Sequence, residues 1–332
     1  MIEVFGQLEG NAVKRMTLKG GGLTARVLNY GACLQDLRLE GHDASLVLGY
    51  DRFEDYLNHS PYFGASVGRF ANRIKDGHFQ LNGNSYQLDR NETTGNHLHG
   101  GTSGISDRIW EIEDAGANHV KLSILDPDGQ CGYPGNCKIT CSISLLDGGI
   151  FRIIYQSETD QPTIANIAHH SYFNLDGSED IYDHELQINA DRYLEVDDDL
   201  IPKGIPSAVK GSVFDFQKLR PVRALDGFVA YDHNFCLSNE QRDKRHVAKV
   251  FSKTSNIELN VFSTEPGIQF YAGGGIKPSV EGLSGQTYKP GAGFCLETQI
   301  WPDAPNNSTY PNAILEVGET RVQETDYIFI KK

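Results

Sequence analysis

The sequence predicts an all-β fold, a sandwich or a barrel, because short alternating segments recur between turn residues. Residues 138–145 alternate apolar and polar side chains with a period of two, as a strand with one buried face does. Thirty-five glycines and thirteen prolines punctuate the 332 residues at short spacing, and helical signals are few. Many short strands separated by turns favour a sandwich or a barrel over alternating βαβ units.

Further segments are predicted as strands. Residues 79–81 and 86–88 flank Asn82-Gly83, a pair that supplies the positive φ angles of a tight hairpin turn. The remaining predicted strands are 23–39, 120–125, 151–156, 258–261 and 327–330.

The clearest helical signal lies at residues 51–57. Asp51 is the predicted N-cap, and Glu54 three residues later completes a start that resembles a capping box. No internal repeat, low-complexity stretch or linker interrupts the chain. We therefore expect residues 1–332 to form a single domain.

Composition argues against nucleic-acid and membrane partners. The net charge of −14, without a block of basic residues, would repel a polyanion over most of the surface. No segment approaches the run of about 20 apolar residues that a membrane helix needs. The first residues also lack the basic region and apolar stretch of a secretory signal. These features predict a cytoplasmic protein without nucleic-acid or membrane partners.

The cysteines point to the same compartment. None of them forms a C-x-x-C pair, and several lie in apolar stretches that resemble strands, so we expect buried free thiols in a reducing cytoplasm. They are Cys33, Cys131, Cys137, Cys141, Cys236 and Cys295.

One short motif matches a hydrolase pattern. Gly64-Ala65-Ser66-Val67-Gly68 fits G-x-S-x-G, but that chemistry requires a strand–turn–helix elbow in an α/β sheet. The segment that follows is short and leads into the predicted hairpin. We interpret the motif as a tight glycine turn.

A second motif raises the question of a metal. His97-Leu98-His99 would place two imidazoles on one face of an extended segment, as metal-dependent β-sandwich enzymes do. Such sites normally add a carboxylate a few residues later, whereas Gly100-Gly101-Thr102-Ser103 follows here. The sequence also lacks a glycine loop suited to a nucleotide phosphate and a zinc-like Cys/His spacing. We therefore predict no metal and no cofactor.

Four polar clusters interrupt apolar sequence. They are Asn72-Arg73, His169-His170, Asp232-His233-Asn234 and Glu297-Thr298-Gln299. Each one alone is better interpreted as a hydrogen-bonded structural group. Brought together, they would supply an acid, a base and several hydroxyl-binding groups, a mixture that suits a neutral polyol. Spacing alone does not reveal whether they converge.

At these residues the sequence resembles the aldose 1-epimerase (galactose mutarotase) family over nearly its whole length. The matching blocks follow the family's order, and such a series is more specific than any single block. They are Gly68-Arg69-Phe70-Ala71-Asn72-Arg73-Ile74, Asn96-His97-Leu98-His99-Gly100-Gly101, Gly132-Tyr133-Pro134-Gly135, His170-Ser171-Tyr172-Phe173-Asn174-Leu175, Asp232-His233-Asn234-Phe235, Gly267-Ile268-Gln269-Phe270-Tyr271 and Leu296-Glu297-Thr298-Gln299.

The resemblance implies a large antiparallel β-sandwich, the supersandwich of this family, with an open sugar cleft and few short helices. It also implies a cofactor-independent isomerase that interconverts the anomers of an aldohexose, galactose or glucose. The resemblance implies that Glu297 is the general base and His170 the general acid. The residues implied to hold the monosaccharide are Asn72, Arg73, His99, Tyr172, Asp232 and Gln269.

The chain departs from the family pattern at two positions. His169 stands where Asn is usual, and Gly274 stands where Asn usually follows a glycine. Both departures are expected to alter the cleft wall while leaving the acid and the base in place. The alternatives are a mutarotase for a modified, for example sulfonated, hexose, a sugar-binding module without catalysis, and a metal-dependent isomerase. The chain is expected to be a monomer or a homodimer.

Overall fold

The structure, a computed structural model, describes residues 1–223 and 229–332 and consists mainly of antiparallel strands, which confirms the all-β prediction. In chain order the strands are β1 (Ile2–Leu8), β2 (Asn11–Gly20), β3 (Leu23–Leu28), β4 (Cys33–Leu39), β5 (Ala65–Val67), β6 (Arg73–Ile74), β7 (His78–Leu81), β8 (Asn84–Gln87), β9 (His97–Leu98), β10 (Glu111–Ala115), β11 (His119–Asp126), β12 (Cys137–Leu146), β13 (Ile150–Thr159), β14 (Thr163–Ile164), β15 (Ala168–His170), β16 (Glu185–Ile188), β17 (Arg192–Tyr193), β18 (Ser207–Ala208), β19 (Arg220–Pro221), β20 (Asp232–Cys236), β21 (Arg245–Ser252), β22 (Ile257–Ser263), β23 (Gly267–Tyr271), β24 (Cys295–Gln299), β25 (Ile314–Leu315) and β26 (Arg321–Lys331).

Three larger sheets organise these strands. Nine strands form one antiparallel sheet in the order β10-β11-β12-β13-β26-β22-β21-β16-β19. Five strands form a second sheet in the order β18-β17-β20-β23-β24, and β1 to β4 form a third in chain order. The described residues also form four two-stranded sheets: β14-β25, β15-β5, β6-β9 and β7-β8.

The main hydrophobic core lies between the sheets, as in a sandwich. The apolar side chains of the five-stranded sheet, including Phe235, Phe270 and Leu296, share one buried cluster with side chains of the nine-stranded sheet. The hydroxyl of Tyr327 on β26 donates to the Leu296 carbonyl on β24 at 3.0 Å and ties the two layers together. Each fully buried apolar side chain of this size contributes about 1.5–3 kcal/mol relative to exposure.

In the segments that alternate in sequence, the apolar residues are the buried ones. Along β12, Ile139, Cys141, Ile143 and Leu145 are buried, whereas Lys138 is exposed. The hairpin is also confirmed: β7 and β8 pair through Leu81 and Asn84. Asn82 and Gly83 between them have φ angles of 50° and 79°, as a two-residue turn with both central residues at positive φ requires.

Residues 23–39 differ from the prediction of one strand. The structure divides them into β3 and β4, which pair with each other. Gly31 and Ala32 in the connection have φ angles of 62° and 44° and reverse the chain direction. Asn29 and Gly31 are turn residues, but the apolar side chains on both sides of this buried turn made the two strands resemble one.

The predicted cap of the helix is wrong. The helix α1 spans Phe53–His59, and its N-cap position is Arg52, which is extended and makes no side-chain capping hydrogen bond. Buried Phe53 and Tyr56 anchor the helix instead. Among the described residues it is the one α-helix, and no helix there has the length and apolarity needed to cross a membrane. The 3₁₀ turns are Lys75–Gly77, Ile105–Asp107, Gln130–Gly132, Leu283–Gly285 and Ala304–Asn306.

The G-x-S-x-G segment is a strand, so its interpretation as a tight turn is wrong. Residues Ala65–Val67 form β5 and pair with β15. Gly64 has a φ angle of 68°, and a Cβ atom there would lie 2.0 Å from the Leu34 carbonyl oxygen, so the position requires glycine. The buried hydroxyl of Ser66 lies 2.7 Å from the Tyr155 hydroxyl. This serine is a structural hydrogen-bonding group and not a nucleophile on an elbow.

All six cysteines are free. Cys131 is half-buried, and the other five are buried, as the sequence predicted.

Arg69 is a buried cation that links distant segments. Its side chain is 0% exposed and donates to Asp126 Oδ2 at 2.8 Å. It also donates to the carbonyl oxygens of Pro134 and Gly135 at 2.8 and 2.9 Å. Asp126 is shared with Arg108, which is 27% exposed.

We expect Arg69→Met to lower the free energy of unfolding by about 3–5 kcal/mol, because it leaves buried acceptors without their donor. Arg108→Met removes the other, more exposed cation and should cost less than Arg69→Met, because Asp126 keeps its bond to Arg69. Urea denaturation followed by circular dichroism measures both. Equal losses in the two variants would contradict the role of burial.

Candidate active site

One face of three neighbouring strands is polar and carries most of the candidate residues. In β20, β23 and β24, Asn234 is opposite Gln269, and Gln269 is opposite Glu297. Because residues two apart on a strand point the same way, Asp232 and Cys295 share this face. The opposite face holds the apolar residues of the main core. The register of these strands therefore collects Asp232, Gln269 and Glu297 on one surface.

His170 comes to this surface from a different pair of strands. It ends β15, where it is opposite Ala65 of β5. Its Nε2 lies 3.7 Å from Glu297 Oε1, and both side chains are almost completely buried. The other carboxylate oxygen, Oε2, is buried and has no hydrogen-bond partner among the described residues. The predicted acid and base thus lie side by side, with one oxygen available for a ligand hydroxyl.

His99 forms the next part of the wall. Its ring Nδ1 accepts a hydrogen bond from the Asn72 backbone N–H at 3.1 Å. The His99 N–H donates in turn to the Asn72 carbonyl at 3.1 Å. The ring centroid lies 5.2 Å from that of His170. Because burial holds the pKa of His99 well below 6.5, its neutral ring carries the proton on Nε2 and can donate it.

His97 and His99 do not act together, so their placement on one face of an extended segment is wrong. His99 has a φ angle of 53°, which turns the chain away from the strand direction. His97 is buried elsewhere, with Nδ1 2.9 Å from Asp89 Oδ1 and Nε2 2.6 Å from the Tyr133 hydroxyl. The first histidine is structural, and the second belongs to the candidate site.

Arg73, Asp232 and Gln269 form the opposite, more open end of the site. Gln269 Nε2 donates to Asp232 Oδ1 at 2.6 Å, and Asp232 Oδ2 lies 3.9 Å from Arg73 Nη1. Arg73 also donates two hydrogen bonds to Glu92, at 2.9 and 2.8 Å. The Asn72 side-chain oxygen accepts from the Arg73 backbone N–H at 2.9 Å and fixes this corner.

Tyr172 supports the site through its ring. Its hydroxyl donates to the Pro61 carbonyl at 2.9 Å, and its ring centroid lies 5.1 Å from that of His170. The predicted sugar contact at this position is thus a packing partner of His170, with its hydroxyl already engaged by the backbone.

Several residues of the site were not predicted from the sequence. Glu92 holds Arg73, and the ring of Tyr62 contacts the rings of both His99 and His170, at 4.8 and 5.7 Å between centroids. Cys295 Sγ lies 3.5 Å from His170 Nδ1. Cys295 could have been found, because it stands two residues before Glu297 on an alternating strand. Glu92 and Tyr62 lie in irregular segments, where no periodicity indicates direction.

Burial favours the neutral forms of the central pair. It raises the pKa of Glu297 well above 4.5, with the Asp232 charge acting in the same sense and Arg73 opposing it. It lowers the pKa of His170 to about 4. Burial therefore disfavours both the Glu297 carboxylate and the His170 imidazolium. Two adjacent groups that share one proton can serve two oxygens bonded to one carbon, one as acid and one as base.

Three potential metal ligands meet here. His99, His170 and Glu297 each offer one atom, and these atoms all lie within 4.8 Å of one another. Ligand atoms of a tetrahedral zinc site, at about 2.0–2.2 Å from the ion, stand roughly 3.4 Å apart. The separation of His170 Nε2 and Glu297 Oε1, 3.7 Å, is somewhat longer than that, so these two atoms stand slightly further apart than two ligands of one bound ion.

Of the two departures from the family pattern, His169 lies away from the pair. His169 points to the opposite side of β15 from His170, packs against Phe151 and Tyr327, and places Nε2 2.7 Å from the Ser171 hydroxyl. The expectation that His169 alters the cleft wall is therefore wrong, because consecutive strand residues face opposite sides. Gly274 is exposed.

A scan of family models matches residues 14–327 to aldose 1-epimerase. Among similar curated proteins, a galactose mutarotase from Rattus norvegicus is 41% identical over 328 residues, covering 95% of this chain and 94% of the relative. An aldose 1-epimerase from Escherichia coli (strain K12) is 33% identical over 340 residues, covering 97% and 96%.

Solved structures show the same architecture. A GalM/aldose epimerase homologue from C. elegans superposes with a TM-score of 0.90 at 28% identity, covering 96% of this chain and 99% of the other. A galactose 1-epimerase from Lactobacillus acidophilus NCFM gives 0.85 at 27% identity, covering 100% and 98%. These comparisons confirm the predicted sandwich.

We expect the imidazole of His170 to titrate near pH 4 in the empty site, because burial penalises its charged form. A histidine in an unstructured peptide titrates near 6.5. NMR of ¹⁵N-histidine-labelled protein over pH 3.5–8 measures the midpoint, and His170→Asn identifies the signal. A midpoint near 6.5 would show that water reaches the ring.

Proposed function

Because this chain belongs to the aldose 1-epimerase family, we propose that it interconverts the α and β anomers of galactose or glucose through Glu297 and His170. The chain is an isomerase that acts on a hexose. The observation that supports these two residues is the 3.7 Å separation of His170 Nε2 and Glu297 Oε1 in a buried polar site. O1 and O5 of a pyranose are both bonded to C1, so one compact pair can reach both.

The reaction requires two coupled proton transfers. The Glu297 carboxylate takes the proton of the O1 hydroxyl while the His170 imidazolium gives one to O5. The C1–O5 bond breaks as the C1–O1 double bond forms. Rotation about C1–C2 presents the other face of the aldehyde, and closure returns both protons. Each positioned transfer contributes about 10²–10⁴-fold, and no electrons or groups move between molecules.

The buried environment favours the state that ring opening produces. After opening, Glu297 is a neutral carboxyl group and His170 a neutral imidazole, which are the forms that burial stabilises. The opposite arrangement, carboxylate and imidazolium, has the same total charge and differs only in the position of one proton. The Arg73 cation lowers the pKa of Glu297 and brings the two arrangements closer in free energy.

The surrounding groups suit sugar hydroxyls. Asp232 accepts, Gln269 and Arg73 donate, and neutral His99 donates from Nε2. Arg73 and Asp232 have side-chain exposures of 12% and 23%, so this end of the site faces solvent. Substrate hydroxyls placed here would fix the ring so that C1 lies beside the acid–base pair.

The charge of the site bears on the alternatives. A sulfonated sugar needs an unpaired cation, whereas Arg73 already faces Glu92 and Asp232. A sugar-binding module without catalysis needs no carboxyl–imidazole pair at 3.7 Å. Both observations favour a neutral hexose and a catalytic site.

We further propose a cytoplasmic location. All six cysteines are free, as is usual in a reducing compartment.

We expect Glu297→Gln and His170→Asn each to lower kcat by at least about 10²-fold, because each removes one proton-transfer group. Polarimetry of freshly dissolved α-galactose or α-glucose measures the rate. His169→Asn is the matched control: the neighbouring ring points away from the pair, so its kcat should stay within about threefold. Near-normal turnover of Glu297→Gln or His170→Asn, in a variant with native circular dichroism, would refute its role.

We expect treatment with EDTA followed by dialysis to leave kcat unchanged, because the proposed steps are proton transfers between side chains and sugar oxygens. Polarimetry before and after treatment tests this. Loss of activity that one added divalent metal restores would favour a metal held by His99, His170 and Glu297.

A further inference from the structure

Glu92 lies in a tight turn between β8 and β9, and its carboxylate faces the site. Its backbone carbonyl accepts from the Gly95 N–H at 3.0 Å, and its N–H donates to the Asn96 carbonyl at 3.3 Å. The side chain, 17% exposed, accepts two hydrogen bonds from Arg73, which is 12% exposed. The turn thus holds a carboxylate against the arginine of the sugar site.

The pairing with Glu92 occupies one edge of the guanidinium group. Nε donates to Glu92 Oε2 at 2.9 Å and Nη2 donates to Oε1 at 2.8 Å. Two parallel bonds of this kind fix the plane of the group as well as its position. Nη1 then faces Asp232 Oδ2 at 3.9 Å. One cation therefore lies between two carboxylates.

We propose that Glu92 is a positioning residue that clamps Arg73 in its binding geometry and neutralises it, so that the cleft accepts neutral sugars and rejects anions. This inference rests on the proposed function, because it assigns Arg73 to the sugar site. A free guanidinium group in a half-buried site binds phosphate or sulfonate groups through the same two-pronged geometry. With Glu92 in place, those donors are occupied.

The charge of Glu92 also reaches the acid–base pair through Arg73. The cation of Arg73 lowers the pKa of Glu297, and Glu92 opposes the field of that cation. Removing the Glu92 charge therefore favours the Glu297 carboxylate and moves the pH–rate profile to lower pH. The other titratable or charged groups that interact with Arg73, Glu92 or Glu297 are Tyr62, His97, His99, His170, Tyr172, Asp232, Tyr271, Cys295 and Tyr327.

The test compares Glu92→Gln with Glu179→Gln, using polarimetry of α-galactose or α-glucose from pH 4 to 9. Glu179 pairs with Lys289 on the surface, with side-chain exposures of 83% and 56%, so its removal changes net charge equally without touching the site. Glu92→Gln should shift the profile by about half a pH unit or more towards acid. It should also raise KM for the neutral hexose more than it lowers kcat.

Inorganic phosphate is the probe for the released arginine. In Glu92→Gln it should become a competitive inhibitor at least about tenfold stronger than in the wild type, at ionic strength matched with NaCl. Glu179→Gln should behave as the wild type. An active wild type, with Glu92→Gln indistinguishable from Glu179→Gln in pH profile, KM and phosphate inhibition, would overturn the inference. An inactive wild type would overturn the proposed function instead.

Glu92→Asp separates geometry from charge and serves if Glu92→Gln does not fold. It keeps the negative charge but is one methylene shorter, so two parallel bonds to Arg73 cannot form from the same backbone position. We expect an unshifted pH profile and a raised KM. A KM equal to that of the wild type would show that the clamp does not position Arg73.

Discussion

A carboxyl group and an imidazole, buried 3.7 Å apart, are the constraint on which the site depends. Burial penalises the charged form of each group, the carboxylate of Glu297 and the imidazolium of His170. In water a glutamic acid ionises at about pH 4.3 and an imidazolium loses its proton at about pH 6.5, because water stabilises the charged form of each. Here burial raises the pKa of Glu297 while the Arg73 cation lowers it, so the two effects oppose each other on the group proposed to exchange a proton with the sugar.

The sheets place this pair with little freedom. Glu297 reaches the site only because the register of β20, β23 and β24 places it on the face that points away from the hydrophobic core. A slip of one residue would exchange Glu297 for Leu296 and bury a carboxylate in the core. His170 depends in the same way on its pairing with Ala65. The same strand register is therefore required for the packing between layers and for the geometry of the acid–base pair.

Local alternation predicted the strands, and the family resemblance implied which residues are the candidate acid, base and sugar contacts. Neither indicated which side chains from distant segments point towards the same site. His97 and His99 have the same local pattern, yet a positive φ angle at His99 sends only that ring to the site. Asp51 satisfied a capping rule, but burial of Phe53 and Tyr56 set the start of α1. Glu92 belongs to a turn without periodicity, so only the folded chain brings it to Arg73.

Arg69 and Arg73 lie in one motif but have different roles, because they differ in burial and in their partners. Arg69 is 0% exposed, and backbone carbonyls and Asp126 use its donors in holding the fold. Arg73, four residues later, is 12% exposed and paired with two carboxylates at the open end of the site. A cation without partners would attract any anion, whereas a paired one offers directional donors with little net charge. In the proposed function the site therefore recognises hydroxyl groups by geometry, and the same balance limits the field that Arg73 exerts on Glu297.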